Sequence, residues 1–159
     1  MFRMKKIILA FVLPLVALSA LSAQVNGQAI GLRLSNGFGN SAEISYQQAL
    51  GRSNRFEGDL GLSNNGLYLT GVYQWVWDLS TLSDGFNWYA GVGGNAGLWN
   101  GNNNYLKGLS LGIVGQIGIE YNFNIPLQIS LDYRPIVNII PTLGDVYYDG
   151  IAVGVRYKF

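Results

Sequence analysis

The 159-residue chain contains no cysteine and no histidine. Without cysteine there is no disulfide framework and no lipid-modified thiol, so a small exported domain has to be stabilised in some other way. Without either residue the usual zinc ligands are missing. Nucleophilic catalysis of the serine-hydrolase kind also lacks the base that most often serves it. Charge is scarce: 12% of the residues are Asp, Glu, Lys or Arg, about half the ordinary share. With a formal net charge of +1 there is no basic footprint for a nucleic-acid partner. Long apolar runs are absent too. The apolar stretch Ile7 to Leu18 spans 18 − 6 = 12 residues with Pro14 inside it, short of the ~20 that a spanning helix needs.

That stretch is expected to be the core of a leader. Arg3, Lys5 and Lys6 precede it, and the small residues Ser19, Ala20, Ser22 and Ala23 follow it, a pattern that resembles a secretory signal peptide. The cut is expected within residues 22–24, which divides the chain into a signal peptide at 1–23 and one domain at 24–159. Its removal takes three of the ten basic residues and leaves 7 − 9 = −2. The remaining 159 − 23 = 136 residues suffice for one domain and not two.

What the chain has in quantity is glycine, 22 residues, about twice the ordinary share, together with strict two-residue alternation. Beyond the leader no helical periodicity appears. Period-two segments separated by Gly, Asn, Ser, Asp and Pro clusters predict an all-β chain. The segments fall at 28–35, 42–50, 54–63, 67–77, 87–98, 108–121, 127–134 and 148–159. Each has one apolar face and one polar or small face. Ile30, Leu32 and Leu34 oppose Gly31, Arg33 and Ser35. Leu109, Leu111, Ile113, Ile117 and Ile119 oppose Ser110, Gly112, Gln116, Gly118 and Glu120.

Two architectures use such alternation. A soluble lipocalin-like barrel buries the apolar face, which would put Ile113, Leu131 and Val153 inside around an apolar ligand. A membrane barrel turns that face to lipid and encloses the polar one. The polar face decides between them, because it is rich in glycine (31, 61, 91, 93, 97, 112, 118, 154) and poor in lysine. Water-facing strands avoid glycine, whereas a cramped interior has use for it. Seventeen residues per segment leave room for the ~9–11 residues that cross a bilayer as a tilted strand, plus a short connection. With both termini at one rim, Phe56, Trp75, Trp77, Trp88, Tyr121, Phe123, Tyr157 and Phe159 gather beside it as an aromatic girdle. A looser set, Phe38, Trp99, Tyr105, Tyr133, Tyr147 and Tyr148, is expected at the other rim.

The leader, the eight alternating segments and the closing Tyr157-Lys158-Phe159 resemble the small outer-membrane β-barrels of Gram-negative bacteria, the OmpX and OmpA-transmembrane-domain type. The resemblance covers the whole chain after the leader. It implies an all-β, eight-stranded antiparallel up-and-down transmembrane β-barrel in contact with outer-membrane lipid. It also implies that the last strand, through Val155, Tyr157 and Phe159, is read by the barrel-assembly machinery. The enzymatic barrels of that kind rely on histidine, so none of their mechanisms carries over and a non-catalytic protein without cofactor or metal is expected. In two respects the chain departs from the pattern: the connection 78–86 is long for a periplasmic turn, and 64–66 is short for an outer loop.

Inward parity collects Glu43, Glu57, Asp59, Glu120 and Asp132 with Arg33, Arg134, Arg156 and Lys158. Isolated charges in a narrow lumen are costly, so pairing is expected. The alternatives are a salt-bridged plug and a narrow ion or solute path, and an interior only as wide as its own side chains favours the plug. Gly91 to Ala96 matches a dinucleotide fingerprint as text, but no helix signal follows it. Asn100 to Tyr105, flanked by Trp99, offers amides to a sugar. Asp145 and Asp149 fall short of the oxygens calcium takes. Recognition of a surface ligand or protein would fall to the connections 36–41, 99–107 and 135–147.

Overall fold

The computed structural model describes residues 27–36, 40–64, 66–100, 107–140 and 146–159. The leader and its cleavage zone lie outside the described residues, as do Phe38, Tyr105 and Asp145. Eight strands follow one another as β1 (Gln28–Ser35), β2 (Ser41–Ala49), β3 (Asn54–Ser63), β4 (Gly66–Asp78), β5 (Phe86–Asn100), β6 (Lys107–Asn122), β7 (Leu127–Ile140) and β8 (Val146–Lys158). Each pairs antiparallel with its sequence neighbours, and β8 pairs with β1 to close the barrel.

Closure sets the stagger. Paired outward residues lead from Ile119 through Leu131, Val153, Leu34, Ala42, Leu62, Leu67 and Leu98 back to β6 at Leu109, 119 − 109 = 10 residues along the strand. Such a stagger tilts the strands by about 35–45° and leaves an eight-stranded interior with room for side chains and little else.

The two faces have the polarity that the alternation predicts for a membrane barrel. Leu34, Leu62, Leu69, Ile113, Ile117, Leu131, Val153 and Ile151 stand outward and exposed, while Arg33, Glu43, Glu57, Asp59, Arg134 and Arg156 are buried inside. Ile113, Leu131 and Val153 are 56%, 46% and 48% exposed, so the lipocalin-like alternative, which required them inside, is overturned.

The expected inward glycines all face the lumen, and register sets five of them beside a large side chain. Gly31 pairs with Arg156, Gly61 and Gly97 flank Tyr68, Gly118 pairs with Tyr89, and Gly154 pairs with Arg33. A methyl group at Gly61 would sit inside the Tyr68 ring, and one at Gly118 would reach 2.6 Å from the Tyr89 hydroxyl. Glycine is therefore the gap into which a neighbouring strand's large side chain folds.

Two expectations need correction. First, β7 does not stop at Arg134 but continues to Ile140, so the first six residues of the expected connection 135–147 belong to the wall. Pro135 is tolerated because it faces outward where the β7–β8 ladder is irregular, between Tyr133 and Pro135, so its missing N–H interrupts no regular bond. Tyr133 consequently lies near the middle of the wall, paired with Ile117 and Ile151, and not at a rim. Second, β5 extends to Asn100 and turns Trp99, 6% exposed, into the loop-side end of the lumen, so it stands inside the barrel and not among exposed aromatics flanking a sugar site. Gly91 to Ala96 lies in the middle of β5 and continues as strand, as the missing helix signal predicts, so its match to the fingerprint is one of text alone.

Candidate functional site

Among the described residues, the lumen is where the barrel concentrates its ionisable side chains. It is built from three arginines at its centre. Arg33 donates from Nη1 to Glu43 Oε1 at 2.9 Å, and from Nε (3.1 Å) and Nη2 to the two oxygens of Asp132. Arg134 donates from Nη1 to Glu43 Oε2 at 3.3 Å and from Nη2 to Glu57 Oε1 at 2.8 Å and Asp59 Oδ2 at 2.6 Å. Arg156 donates to Glu57 Oε2 at 3.2 Å, to Ser45 Oγ at 2.9 Å and to Ser130 Oγ at 2.8 Å. All three are 0% exposed, so no water-sized passage touches their side chains.

Their acids are unequally served. Glu57 accepts from Arg134, Arg156, Gln47 (2.6 Å) and Gln116 (3.2 Å). Glu43 accepts from Arg33, Arg134 and the Tyr68 hydroxyl (2.8 Å), and Asp132 from Arg33 and the Tyr89 hydroxyl (3.3 Å). Asp59 accepts from Arg134 alone, and its Oδ1 has no partner among the described residues.

Toward the rim that carries the termini stands a second pair, Arg55 Nη2 and Glu120 Oε2 at 2.7 Å. Asn87 supports Glu120 at 3.1 Å, and the Arg55 guanidinium lies 4.8 Å over the Tyr89 ring while its Nε donates to Gln74. This corrects the expected network. Lys158 is only half-buried and forms none of these ion pairs, so Glu120 takes Arg55 as its base. The signal was present in the sequence, since Arg55 shares the inward parity of Glu57 and Asp59.

Toward the loop-side rim the lumen loses its charges and mixes aromatic and aliphatic side chains with neutral polar ones such as Ser41, Thr70, Asn95 and Asn138. Tyr68 and Trp99 stack with ring centroids 5.9 Å apart, and the Trp99 indole N–H donates to Ser110 Oγ at 2.8 Å. Val72, Val114 and Ile136 pack as a small buried cluster. A charged middle is thus capped on one side by an aromatic lid and on the other by the Arg55–Glu120 pair.

Outside, the expected girdle residues all lie on the outward side near the terminal rim. Trp77 stacks on Trp88 at 4.1 Å, Tyr121 meets Phe123 edge-on at 4.7 Å, and Tyr157 stacks on Phe159 at 6.1 Å. Tyr73, which shares the outward parity of Trp75, joins it at 5.1 Å, and Phe86 joins Tyr121 at 4.9 Å. The Phe56 side chain lies over the paired outward glycines Gly58 and Gly71. Val155 faces outward beside Leu32, and the Phe159 amide donates to the Gln28 carbonyl at 3.0 Å, so the seam of the barrel runs to the last residue.

No family model matches the chain, and no curated protein matches it in sequence. Solved structures share its fold. The N-terminal β-barrel domain of Pseudomonas aeruginosa OprF aligns with a TM-score of 0.69 at 14% identity, over 84% of this chain and 98% of that one. Neisserial surface protein A aligns with a TM-score of 0.53 at 16% identity over 83% and 94%. A de novo designed transmembrane β-barrel aligns with a TM-score of 0.53 at 14% identity over 87% and 100%. The chain therefore has the closed eight-stranded barrel fold of these proteins.

Proposed function

We propose that the chain is an integral barrel of a Gram-negative outer membrane, exported by its leader, with a plugged lumen and a structural or surface-interaction role rather than a catalytic one. The observation that carries this reading is the polarity of the wall: large aliphatic side chains cover the outside of every strand while the charges are enclosed. In water that arrangement would expose an apolar area far beyond what a soluble monomer tolerates. Lipid removes the conflict. The fold shared with two bacterial surface barrels and a designed transmembrane barrel supports it.

The non-catalytic part of the reading rests on the absence of histidine and cysteine from the sequence and on the pairing of each lumen carboxylate with at least one guanidinium. The recognition role falls to the connections that follow β1, β5 and β7, whose strands end at the rim opposite Gln28 and Lys158. The barrel-assembly machinery would read the outward row Val155, Tyr157 and Phe159 before β8 meets β1.

Gel migration of unheated and boiled detergent-folded protein tests the reading. A closed membrane barrel is expected to run as a compact, detergent-resistant band that shifts on boiling. Material that dissolves in detergent-free buffer as a compact monomer would overturn it. In planar bilayers the plugged lumen is expected to give no steady conductance.

A further inference from the structure

Among turn-forming Gly, Ser, Asn, Asp and Pro, each of the three connections at the terminal rim holds a residue that a tight turn does not call for. Gly, Asn, Asp, Ser and Pro suit turns for conformational reasons, and an aliphatic side chain adds nothing to them. Yet each connection holds one large aliphatic residue in the open: Leu50 after β2 at 58% exposure, Leu82 after β4 at 78%, and Ile125 after β6 at 61%.

These residues stand on fixed ground. The hydrogen bonding of the wall continues into all three turns, each of which accepts an amide from the strand beyond its own hairpin. Val76 N donates to Ser53 O at 2.8 Å, Asn122 N to Gly85 O at 2.8 Å, and Lys158 N to Pro126 O at 3.1 Å. The long β4–β5 turn is further closed by Leu79 N to Phe86 O at 2.9 Å, and by the Ser80 amide and hydroxyl on the Asp78 carboxylate at 2.7 and 3.0 Å.

We infer that Leu50, Leu82 and Ile125 form an apolar collar that seats the terminal rim in the headgroup boundary of a phospholipid leaflet. The inference rests on the membrane-barrel reading above. Three features select lipid over a protein partner. The residues sit on alternate hairpins and so face different directions around the rim, which suits a surrounding sheet of lipid and not a one-sided patch. They continue the outward aromatics: Leu82 lies beyond the Trp77–Trp88 stack, and Ile125 lies two residues after Phe123. The rim charges also balance, with Arg52 and Lys158 against Asp78 and Asp84, leaving no field to steer a charged partner. Amphipathic segments with such side chains sink to the boundary between headgroups and acyl chains. The long 79–85 turn, anomalous as a mere connection, gains a reason as the part of the collar that projects most.

The absence of native cysteine makes the test direct. Single variants Leu50→Cys, Leu82→Cys and Ile125→Cys, with Ile113→Cys in the wall and Arg52→Cys in a turn as references, are spin-labelled and reconstituted in phosphatidylcholine vesicles. Collision with oxygen, which partitions into lipid, is compared with collision with a water-soluble nickel chelate. The collar sites are expected to be several-fold less accessible to nickel than Arg52, and to fall between it and Ile113. Collar sites as open to nickel as Arg52, with Ile113 still shielded, would overturn the collar and leave the barrel in the membrane. If Ile113 itself were open to nickel, both readings would fall.

Discussion

Arg33 and Asp132, ninety-nine residues apart in the chain, meet in a two-point bond in which Nε and Nη2 of the guanidinium address both carboxylate oxygens. Arg33 also holds Glu43 on the neighbouring strand at 2.9 Å. One side chain thereby ties β1 to β2 on one side and to β7 across the lumen, two strands away around the closed sheet. Removing one partner from such a buried arrangement leaves the other charge uncompensated, which costs more than the pair contributes when intact.

The lumen acids are accordingly expected to respond very unequally. Glu57→Ala removes an acceptor shared by Arg134 and Arg156 and should cost about 3–5 kcal/mol. Asp59→Asn removes an acid with a single donor and should cost well under half of that. Denaturant titrations of lipid-reconstituted protein, followed by tryptophan fluorescence, check the ranking. Equal losses would mean that the donor count does not govern the plug.

Glycine substitutions should separate the two faces. Gly61→Ala drives a methyl group into the Tyr68 ring and is expected to cost about 1–3 kcal/mol through overpacking. Gly94→Ala meets nothing nearer than a carbonyl oxygen at 3.7 Å and should be neutral or slightly stabilising, since alanine loses less backbone freedom than glycine. The same unfolding titration reads both variants.

A charge on the outside of the wall probes what covers it. Ile113→Arg is expected to destabilise the lipid-reconstituted barrel by about 2–4 kcal/mol if this residue lies near the bilayer midplane. The same change at a water-facing surface would fall within about 0.5 kcal/mol.

At the closing seam, Phe159→Ala leaves the backbone bond from residue 159 to Gln28 possible but removes the ring stacked on Tyr157. The expected outcome is slowed insertion in the presence of assembly machinery, with a near-normal compact band once folding is complete. Unchanged insertion kinetics would remove the terminal ring from the assembly signal.

Strand number, face polarity and the inward glycines could be read along the chain because each depends only on parity, which a strand imposes locally. The end of β7 could not. Proline argues against a strand unless its missing N–H falls outside the ladder, and only the irregular register beside Tyr133 shows that it does. Nor could the direction of Trp99, because the alternation signals a strand only to residue 98, and parity assigns a face only within a strand. Arg55 is legible, since it shares parity with Glu57 two positions on. Recognising it as the partner of Glu120 required knowing that β3 and β6 face each other across the lumen.

The sequence by itself determined that alternate residues would lie on opposite faces of eight ribbons, that one face would be aliphatic, and that the other would hold glycine and charge. Register is weaker information in such a chain, because the alternation repeats every two residues and each two-residue slide of one strand against the next preserves it. Closure with a ten-residue stagger chose one of those slides. That choice put Gly118 opposite Tyr89, Gly154 opposite Arg33 and Glu57 between two arginines. Hairpin neighbours such as Arg33 and Glu43 could meet without closure, but most ion pairs of the lumen join strands that face each other only across the closed sheet.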